Sequence, residues 1–214
     1  MAKYFKHRGV EGLVYARVTN DDNEENGGYK TGEAKPLAPV ARIGKTVEAS
    51  SATEYYDNIA MFVINAEGPD EFEMDSTAFS LETEAELTGK SYDPTTGMLV
   101  DGPVEERYFA IGYKTKGNDG GYRYVWRLKV KFAPIDKEHT TENDGTDTTG
   151  PTLKCTGIHT THKFAKGKYN AETSKWEAGT AKGIVVDLRD GKADTATFFD
   201  SVATPDSVKA KTAG

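Results

Sequence analysis

The sequence predicts a mainly β protein, with a sandwich- or barrel-like fold, one short flanking α-helix and long loops. Hydrophobic residues make up only 36% of the 214 positions, whereas 22 are Gly and 11 are Tyr. This composition is typical of a β-protein with polar loops rather than of an α/β enzyme core. Roughly eight to ten short strand patterns occur at the spacing found in sandwiches and barrels. The clearest pair of strands lies between Arg107 and Pro134.

This stretch predicts a long β-hairpin, whose loop at 114–121 contains the Gly, Asn and Asp residues that such loops need. Because successive strand side chains point to opposite faces, we expect one apolar wall and one basic wall. The apolar wall contains Phe109, Ile111, Tyr113, Tyr122, Tyr124, Trp126, Leu128, Val130 and Phe132. The other wall of the second strand contains Arg123, Val125, Arg127, Lys129 and Lys131.

The remaining elements are assigned to a core at 1–158 and a C-terminal extension of the same domain at 159–214. Residues 1–11 are predicted to form a polar N-terminal segment, and 201–214 a flexible polar tail. Further strands are expected at 13–19, 41–49, 59–64, 67–75, 153–163, 184–188 and 195–199, with loops at 20–36 and 136–150 and a loop that can include extended pieces at 50–58. The run at 59–64 is continuously apolar, which indicates a strand covered on both sides or lying in a subunit contact.

One helix is predicted, from Leu81 to Thr88. Ser80 can cap its N-terminus, acidic residues occupy the first turn, and Gly89 suits the left-handed position that follows. Leu81 and Ala85 share one face. Because so short a helix has no stability of its own, it must dock on a sheet.

Charge, cysteine content and hydropathy exclude several classes of protein. A net charge of −7 argues against nucleic-acid binding by bulk attraction. The single cysteine, Cys155, excludes an intramolecular disulfide framework. The N-terminus lacks the apolar run of a secretory signal, and no stretch approaches the roughly 20 apolar residues of a membrane span. We therefore expect a soluble protein made in a cytoplasm, with no membrane partner.

Two candidate metal sites are weaker than their structural alternatives. Residues 22–33 approach a calcium-loop pattern through Asp22, Glu24, Asn26, Gly27 and Glu33. No helix pattern flanks that loop, so a mobile hairpin loop is preferred. Cys155 and His159 would share a strand face while His162 points away, which favours an inert thiol and two surface histidines.

No nucleophile elbow, phosphate loop or dinucleotide fingerprint occurs in the sequence. We expect no enzyme activity, metal or cofactor.

Charge is unevenly distributed along the chain. Residues 114–131 contain six Lys or Arg against one Asp, whereas residues 67–89 contain eight acids and no Lys or Arg. The two stretches can pair within one chain, or the basic face of one subunit can meet the acidic face of the next. Both interpretations remain open from the sequence.

Three blocks follow one another along the chain: GLVYARVT at 12–19, LETEAELTGKSYDPTTGMLV at 81–100, and the hairpin at 107–134, which is followed by an acidic loop and GPTLKCTGI. In these blocks and their order the sequence resembles the major tail proteins of long-tailed bacteriophages, the subunits of the tail tube. The resemblance covers roughly residues 9–158. It implies a sandwich-like tail tube fold whose hexameric rings stack into a conduit for DNA ejection. The implied location is the virion tail, assembled in the host cytoplasm, and the implied partners are other copies, other tail components at the tube ends and transiently passing phage DNA.

Lateral and stacking contacts between copies are expected on flexible polar segments that order on assembly and that carry aromatic anchors. The candidate interface residues are Tyr4, Phe5, Asp22, Tyr29, Glu54, Tyr55, Tyr56 and Phe62, together with the basic Arg123, Arg127 and Lys129. Because a basic lumen would trap DNA, the basic row is expected at a subunit contact or on the tube exterior. The alternative is a secreted or displayed immunoglobulin-like module that binds carbohydrate or a cell surface, and the absence of a signal peptide counts against it.

Overall fold

The computed structural model describes residues 4–22, 27–137 and 150–211. These residues form thirteen strands, one α-helix and one short 3₁₀ helix, which confirms the prediction of a mainly β fold with a single α-helix. The strands are β1 (His7–Asp21), β2 (Tyr29–Thr31), β3 (Lys35–Pro36), β4 (Val40–Tyr56), β5 (Ile59–Ser76), β6 (Ser91–Asp93), β7 (Met98–Val100), β8 (Phe109–Gly117), β9 (Tyr122–Phe132), β10 (Thr152–Gly157), β11 (Phe164–Asn170), β12 (Lys175–Gly179) and β13 (Gly183–Asp187). The helix α1 spans Leu81–Thr88, and the 3₁₀ helix spans Leu188–Asp190.

Nine strands form one antiparallel sheet with the order β2-β1-β8-β9-β10-β5-β4. Two further strands join this path, because β13 also pairs with β9 and β3 also pairs with β1. The strands β6 and β7 form a separate hairpin, as do β11 and β12. The predicted hairpin at 107–134 therefore forms, as β8 and β9, and it lies in the middle of the sheet.

The predicted division of β9 into an apolar and a basic wall is wrong. Gly112 pairs with Trp126, but Phe109 pairs with Val130, so β9 contains one extra residue between these two positions. This bulge turns Val130 and Phe132 to the face opposite Trp126 and Leu128. Both faces of β9 are consequently buried, as befits a central strand.

Two cores cover the two faces of the sheet. One surrounds Phe109 and Ile111 and includes Phe72, Met74 and Leu87. The other surrounds Trp126, which contacts residues from the C-terminal part of the chain. Its buried members are Ala16, Ala110, Trp126, Leu128, Phe164, Phe198, Val202 and Ala203. The C-terminal extension thus supplies one layer of the fold.

This layer corrects two predictions. Residues 195–199, predicted as a strand, form turns, and Phe198 is buried against the sheet. The segment predicted to be a flexible tail contributes Val202 and Ala203, both less than 10% exposed, to the second core. Val202 and Ala203 are held by contacts with the core around Trp126, which is far away in the sequence, so the local sequence pattern does not predict their burial. Residues 212–214 of that tail lie outside the described residues.

The N-terminus was predicted as a polar segment separate from the strands, but from His7 onward it belongs to the sheet. β1 begins at His7, which pairs with Gly117 of β8, and the backbone N–H of Lys6 donates to the side chain of Asn118 at 3.0 Å. A bulge between Glu11 and Val14 accommodates Gly12, whose φ is 66°. Residues 1–3 lie outside the described residues.

The helix α1 has the predicted boundaries and caps. The Ser80 hydroxyl accepts the Thr83 N–H, and Gly89 has φ 75°. Its docking face differs, because Leu81 is 44% exposed whereas Ala85 and Leu87 are buried. The helix is therefore held by Leu87 rather than by its first residue.

Candidate assembly surface

A hairpin formed by β4 and β5 projects beyond the sheet. β10 pairs with β5 only as far as Asp70, so residues 49–67 pair only with each other. Eight cross-strand pairs, from Ala49–Glu67 to Tyr56–Ile59, extend this projecting hairpin by about 25 Å. The prediction of a loop at 50–58 is wrong, because β4 continues without interruption to Tyr56.

The tip of the projecting hairpin is a two-residue turn at Asp57 and Asn58. Their φ values are 51° and 63°, in the left-handed region. Asp and Asn are the residues, after Gly, that tolerate this region, and consecutive left-handed residues define the tight turn that matches strand twist. In the sequence, the Asp-Asn pair between Tyr56 and Ile59 is the local signal for this turn.

The projecting hairpin exposes large apolar side chains. Residues 49–67 are all exposed, and seven of their large apolar side chains are 52% to 67% exposed. These seven are Tyr55, Tyr56, Ile59, Met61, Phe62, Val63 and Ile64. Large contiguous apolar patches are uncommon on monomers and typically mark interaction surfaces. The expectation that residues 59–64 are covered on both sides is therefore wrong within a single chain.

The strand register sorts these side chains onto two faces. Tyr56 pairs with Ile59, Glu54 with Phe62, and Ala52 with Ile64, so these residues share one face. We call it the apolar face. The rings of Tyr56 and Phe62 meet edge to face on it, with centroids 5.9 Å apart. The opposite face carries Tyr55 and Val63 among polar side chains, so the projecting hairpin is amphipathic.

A buried charge cluster fastens the root of the projecting hairpin to the sheet. Asp70 is 1% exposed, and its carboxylate lies 2.8 Å from Lys45 Nζ and 3.1 Å from Lys182 Nζ. Arg127 lies 3.6 Å away, and Lys182 also binds the Gly68 carbonyl and Glu67. Burial alone would raise the pKa of Asp70, but hydrogen bonds from Lys45 and Lys182 hold it below its usual value. Strands β4, β5 and β9 and the segment before β13 are thereby joined.

Carboxylates within the same chain neutralise the row of basic residues on β9. Asp187 pairs with Arg123 at 2.7 Å, Asp70 with Arg127 at 3.6 Å, Asp21 with Lys129 at 2.5 Å and Glu106 with Lys131 at 2.7 Å. Only one of these acids, Asp70, belongs to the acidic stretch at 67–89. This basic row is thus paired within the chain, which was one of the two interpretations of the sequence. Three of its four carboxylate partners, however, lie outside residues 67–89. Each of the four basic residues of β9 therefore has a carboxylate partner within its own chain, and Asp70 is shared between Arg127, Lys45 and Lys182.

The other predicted interface residues differ in availability. Tyr4 is 97% exposed, whereas the Phe5 ring lies 4.6 Å from the Arg123 guanidinium and 3.6 Å from that of Arg189. Tyr29 donates its hydroxyl to the Leu128 carbonyl at 2.6 Å and packs against Phe164. Phe5 and Tyr29 therefore make contacts within the chain. Asp22 is half-buried, and its carbonyl oxygen lies 3.1 Å from His162 Nδ1.

The metal-ligand candidates do not converge. Burial raises the pKa of the Cys155 thiol, His159 contacts Thr180, and His162 packs edge to face on Phe164. Within the described ranges, no three His, Cys, Asp or Glu side chains are placed to hold a metal ion. Positions 24 and 26 of the calcium-like loop, and residues 138–149 of the predicted loop at 136–150, lie outside these ranges.

Comparison with protein-family models and with curated proteins found no match for this chain. In the part of the chain that the structure describes, no helix is long and apolar enough to cross a membrane. Among the described residues, the projecting hairpin carries the longest run of exposed large apolar side chains.

Proposed function

We propose that this chain is a structural subunit that assembles with copies of itself through the projecting hairpin, as the tail tube subunits of long-tailed phages do. In this proposal hexameric rings stack into a tube in the virion tail, and DNA leaves through it. The observation that carries the proposal is the exposed apolar face of residues 49–67. Burial of this face against another copy removes apolar side chains from water, which is the main favourable term in association.

The outer edge of the sheet supports the same role. β4 ends the strand order, so one of its backbone edges has no strand partner among the described residues. Natural proteins usually shorten, charge or cover such an edge, because it invites pairing with another chain. Here the edge strand is 17 residues long. In a closed ring, lateral neighbours can satisfy such an edge by symmetry, without uncontrolled growth.

The charge distribution suits a conduit for DNA. Each phosphate neutralised by Lys or Arg adds salt-dependent affinity, so a free basic row in the lumen would retain DNA. The chain has a net charge of −7, and the row from Arg123 to Lys131 is neutralised by its own carboxylates. We propose that this row lies at a contact or on the exterior, and that the lumen is acidic or neutral.

Sedimentation velocity over a concentration series, with negative-stain microscopy, tests the proposal. We expect the wild type to form rings or tubes as concentration rises. The variant Ile59→Ser/Phe62→Ser should remain monomeric, because it removes the centre of the apolar face. Val185→Ser is a matched control, since Val185 is similarly exposed, at 53%, but lies on β13.

Two results would contradict self-assembly through the projecting hairpin. Isolated small particles from the wild type at all concentrations would contradict self-assembly and favour the immunoglobulin-like binding module. Rings formed equally well by Ile59→Ser/Phe62→Ser would show that assembly uses another surface.

A further inference from the structure

We propose that the projecting hairpin of one copy docks on the hairpin formed by β11 and β12 of the next copy. This C-terminal hairpin lies outside the sequence resemblance and joins no other strand among the described residues. The inference rests on the proposed self-assembly and identifies the surface that receives the projecting hairpin.

The C-terminal hairpin carries an exposed aromatic pair. Tyr169 is paired with Trp176 across the two strands, and their ring centroids are 5.2 Å apart. The two side chains are 50% and 53% exposed. Tyr and Trp are the residues most enriched among those that dominate binding energy at interfaces. The pair can hold the hairpin together and still present about half of its surface to a partner.

The charges of the two hairpins are complementary. Residues 49–67 contain no Lys or Arg and three acids, of which Glu67 pairs with Lys182 while Glu54 and Asp57 form no ion pair within the described part of the chain. Residues 164–179 contain three Lys against two Glu. Among these lysines, Lys168 and Lys175 are exposed, and neither forms an ion pair within the described part of the chain. In this contact the acidic and apolar projecting hairpin meets the aromatic pair of the C-terminal hairpin, and the unpaired Lys168 and Lys175 lie beside that pair.

The remaining exposed apolar cluster has the wrong charge for this role. It surrounds α1 and the β6–β7 hairpin and includes Met98, Val100 and Val104. Residues 81–106 contain seven acids and a single Lys, Lys90. Lys or Arg residues pair with five of these acids, and Lys90 is itself used in a pair with Asp101, so among the described residues Glu82 and Asp93 are left without an ion pair and no Lys of this stretch is free. Like charges placed together across an interface oppose association. The acidic projecting hairpin is therefore better matched to the C-terminal hairpin.

Such a contact joins two different surfaces of identical copies. Each copy offers one projecting hairpin and one C-terminal hairpin, so the contact propagates from copy to copy. Heterologous contacts of this kind generate rings when the rotation closes. A contact between two projecting hairpins would instead stop at a dimer and would oppose acid to acid.

Two variants, each lacking one surface, test the assignment. The first is Ile59→Ser/Phe62→Ser, and the second is Lys168→Glu/Lys175→Glu, which keeps the aromatic pair that supports the C-terminal hairpin. Lys192→Glu/Lys209→Glu makes the same change in net charge at two exposed lysines elsewhere and serves as the control. Association is measured by sedimentation and native mass spectrometry, and folding by circular dichroism.

We expect each defective variant alone to require at least tenfold more protein than the wild type to associate, and the control to behave as wild type. An equimolar mixture of the two variants should form a one-to-one complex. In that complex the intact projecting hairpin of one variant docks on the intact C-terminal hairpin of the other. Mixing the two variants therefore restores one contact between the two chains of each complex. No ring forms, because the other two surfaces of the complex are defective.

Two outcomes would overturn the inference, and they are distinguishable. If the wild type assembles and Lys168→Glu/Lys175→Glu assembles equally well, the proposed function stands and the docking assignment falls. If the wild type remains monomeric at every concentration, the proposed function itself falls, and the docking assignment falls with it.

Discussion

Lys182 places its ammonium 3.1 Å from the buried carboxylate of Asp70, 112 residues earlier in the chain, and so ties the C-terminal part to the root of the projecting hairpin. Removal of the carboxylate in Asp70→Ala leaves Lys45, Lys182 and Arg127 without their shared partner. Breaking a buried pair in this way typically costs about 3–5 kcal/mol. We expect a loss of that order in the free energy of unfolding, measured in urea.

Glu73→Gln is the control for this substitution, because Glu73 lies on the same strand but pairs with Arg42 at the exposed surface. It should change stability by less than about 1 kcal/mol. Equal losses for the two variants would show that the Asp70 cluster contributes no more than an ordinary surface ion pair.

Phe198 supports the second core from outside the sheet. Its backbone carbonyl accepts the indole N–H of Trp126 at 2.8 Å, and its side chain is 5% exposed. Phe198→Ala should lower the free energy of unfolding by about 3–5 kcal/mol, since it leaves a cavity in the second core beside Tyr124. Fluorescence of Trp126, recorded in a Trp176→Phe background, follows the transition. Phe199→Ala should cost less because Phe199 is only half-buried, and the reverse order would contradict this packing.

Stability should fall in acid as Asp21 becomes protonated. Burial alone would raise the pKa of Asp21, but hydrogen bonds from the backbone of His162 and Thr161 and from Lys129 lower it. A carboxyl whose pKa is lower in the folded state than in the unfolded state contributes its full stabilisation at pH values above the unfolded pKa, which is about 3.9 for Asp. That contribution disappears as the pH falls through the folded value.

Urea unfolding of wild type and Asp21→Asn between pH 7 and acid measures this contribution. We expect the wild type to be the more stable at pH 7 and the difference to shrink below about pH 4. A difference that stays constant down to the acid limit would exclude ionisation of Asp21 as its source.

The turn at the tip should depend on residues that accept a positive φ. Asn58 has φ 63°, so Asn58→Gly should preserve the projecting hairpin, whereas Asn58→Ala should weaken it by about 1 kcal/mol. Amide hydrogen exchange across residues 49–67 measures the effect locally. The same protection in Asn58→Ala as in the wild type would contradict the assigned turn geometry.

Local patterns identified some elements well. The Ser80 cap, the acidic first turn and Gly89 define α1, and the alternation around a Gly-rich loop defines β8 and β9. Both signals lie within a few neighbouring residues, which is why the sequence reveals them. The tip at Asp57 and Asn58 was just as local, but the polar residues before it indicated a loop more strongly than a strand.

Long-range features could not be read in this way. The bulge in β9 changes which side chains share a face, and only pairing with β8 reveals it. The acids that neutralise Lys129 and Arg123 lie 108 and 64 residues away. The sequence around Phe198 has a strand pattern, but in the fold Phe198 lies in a turn that packs into the same core as Trp126. Such relationships depend on the assembled sheet rather than on local propensity.

Oxidative footprinting of dilute and concentrated wild-type protein tests the central claim most directly, because Tyr55, Met61 and Phe62 are reactive and exposed in the single chain. The proposal predicts that Met61 and Phe62 become protected as rings or tubes form, while exposed Met98, outside the docking surfaces, keeps its reactivity. Assembled particles in which Met61 and Phe62 remain as reactive as in dilute protein would contradict the role of the projecting hairpin.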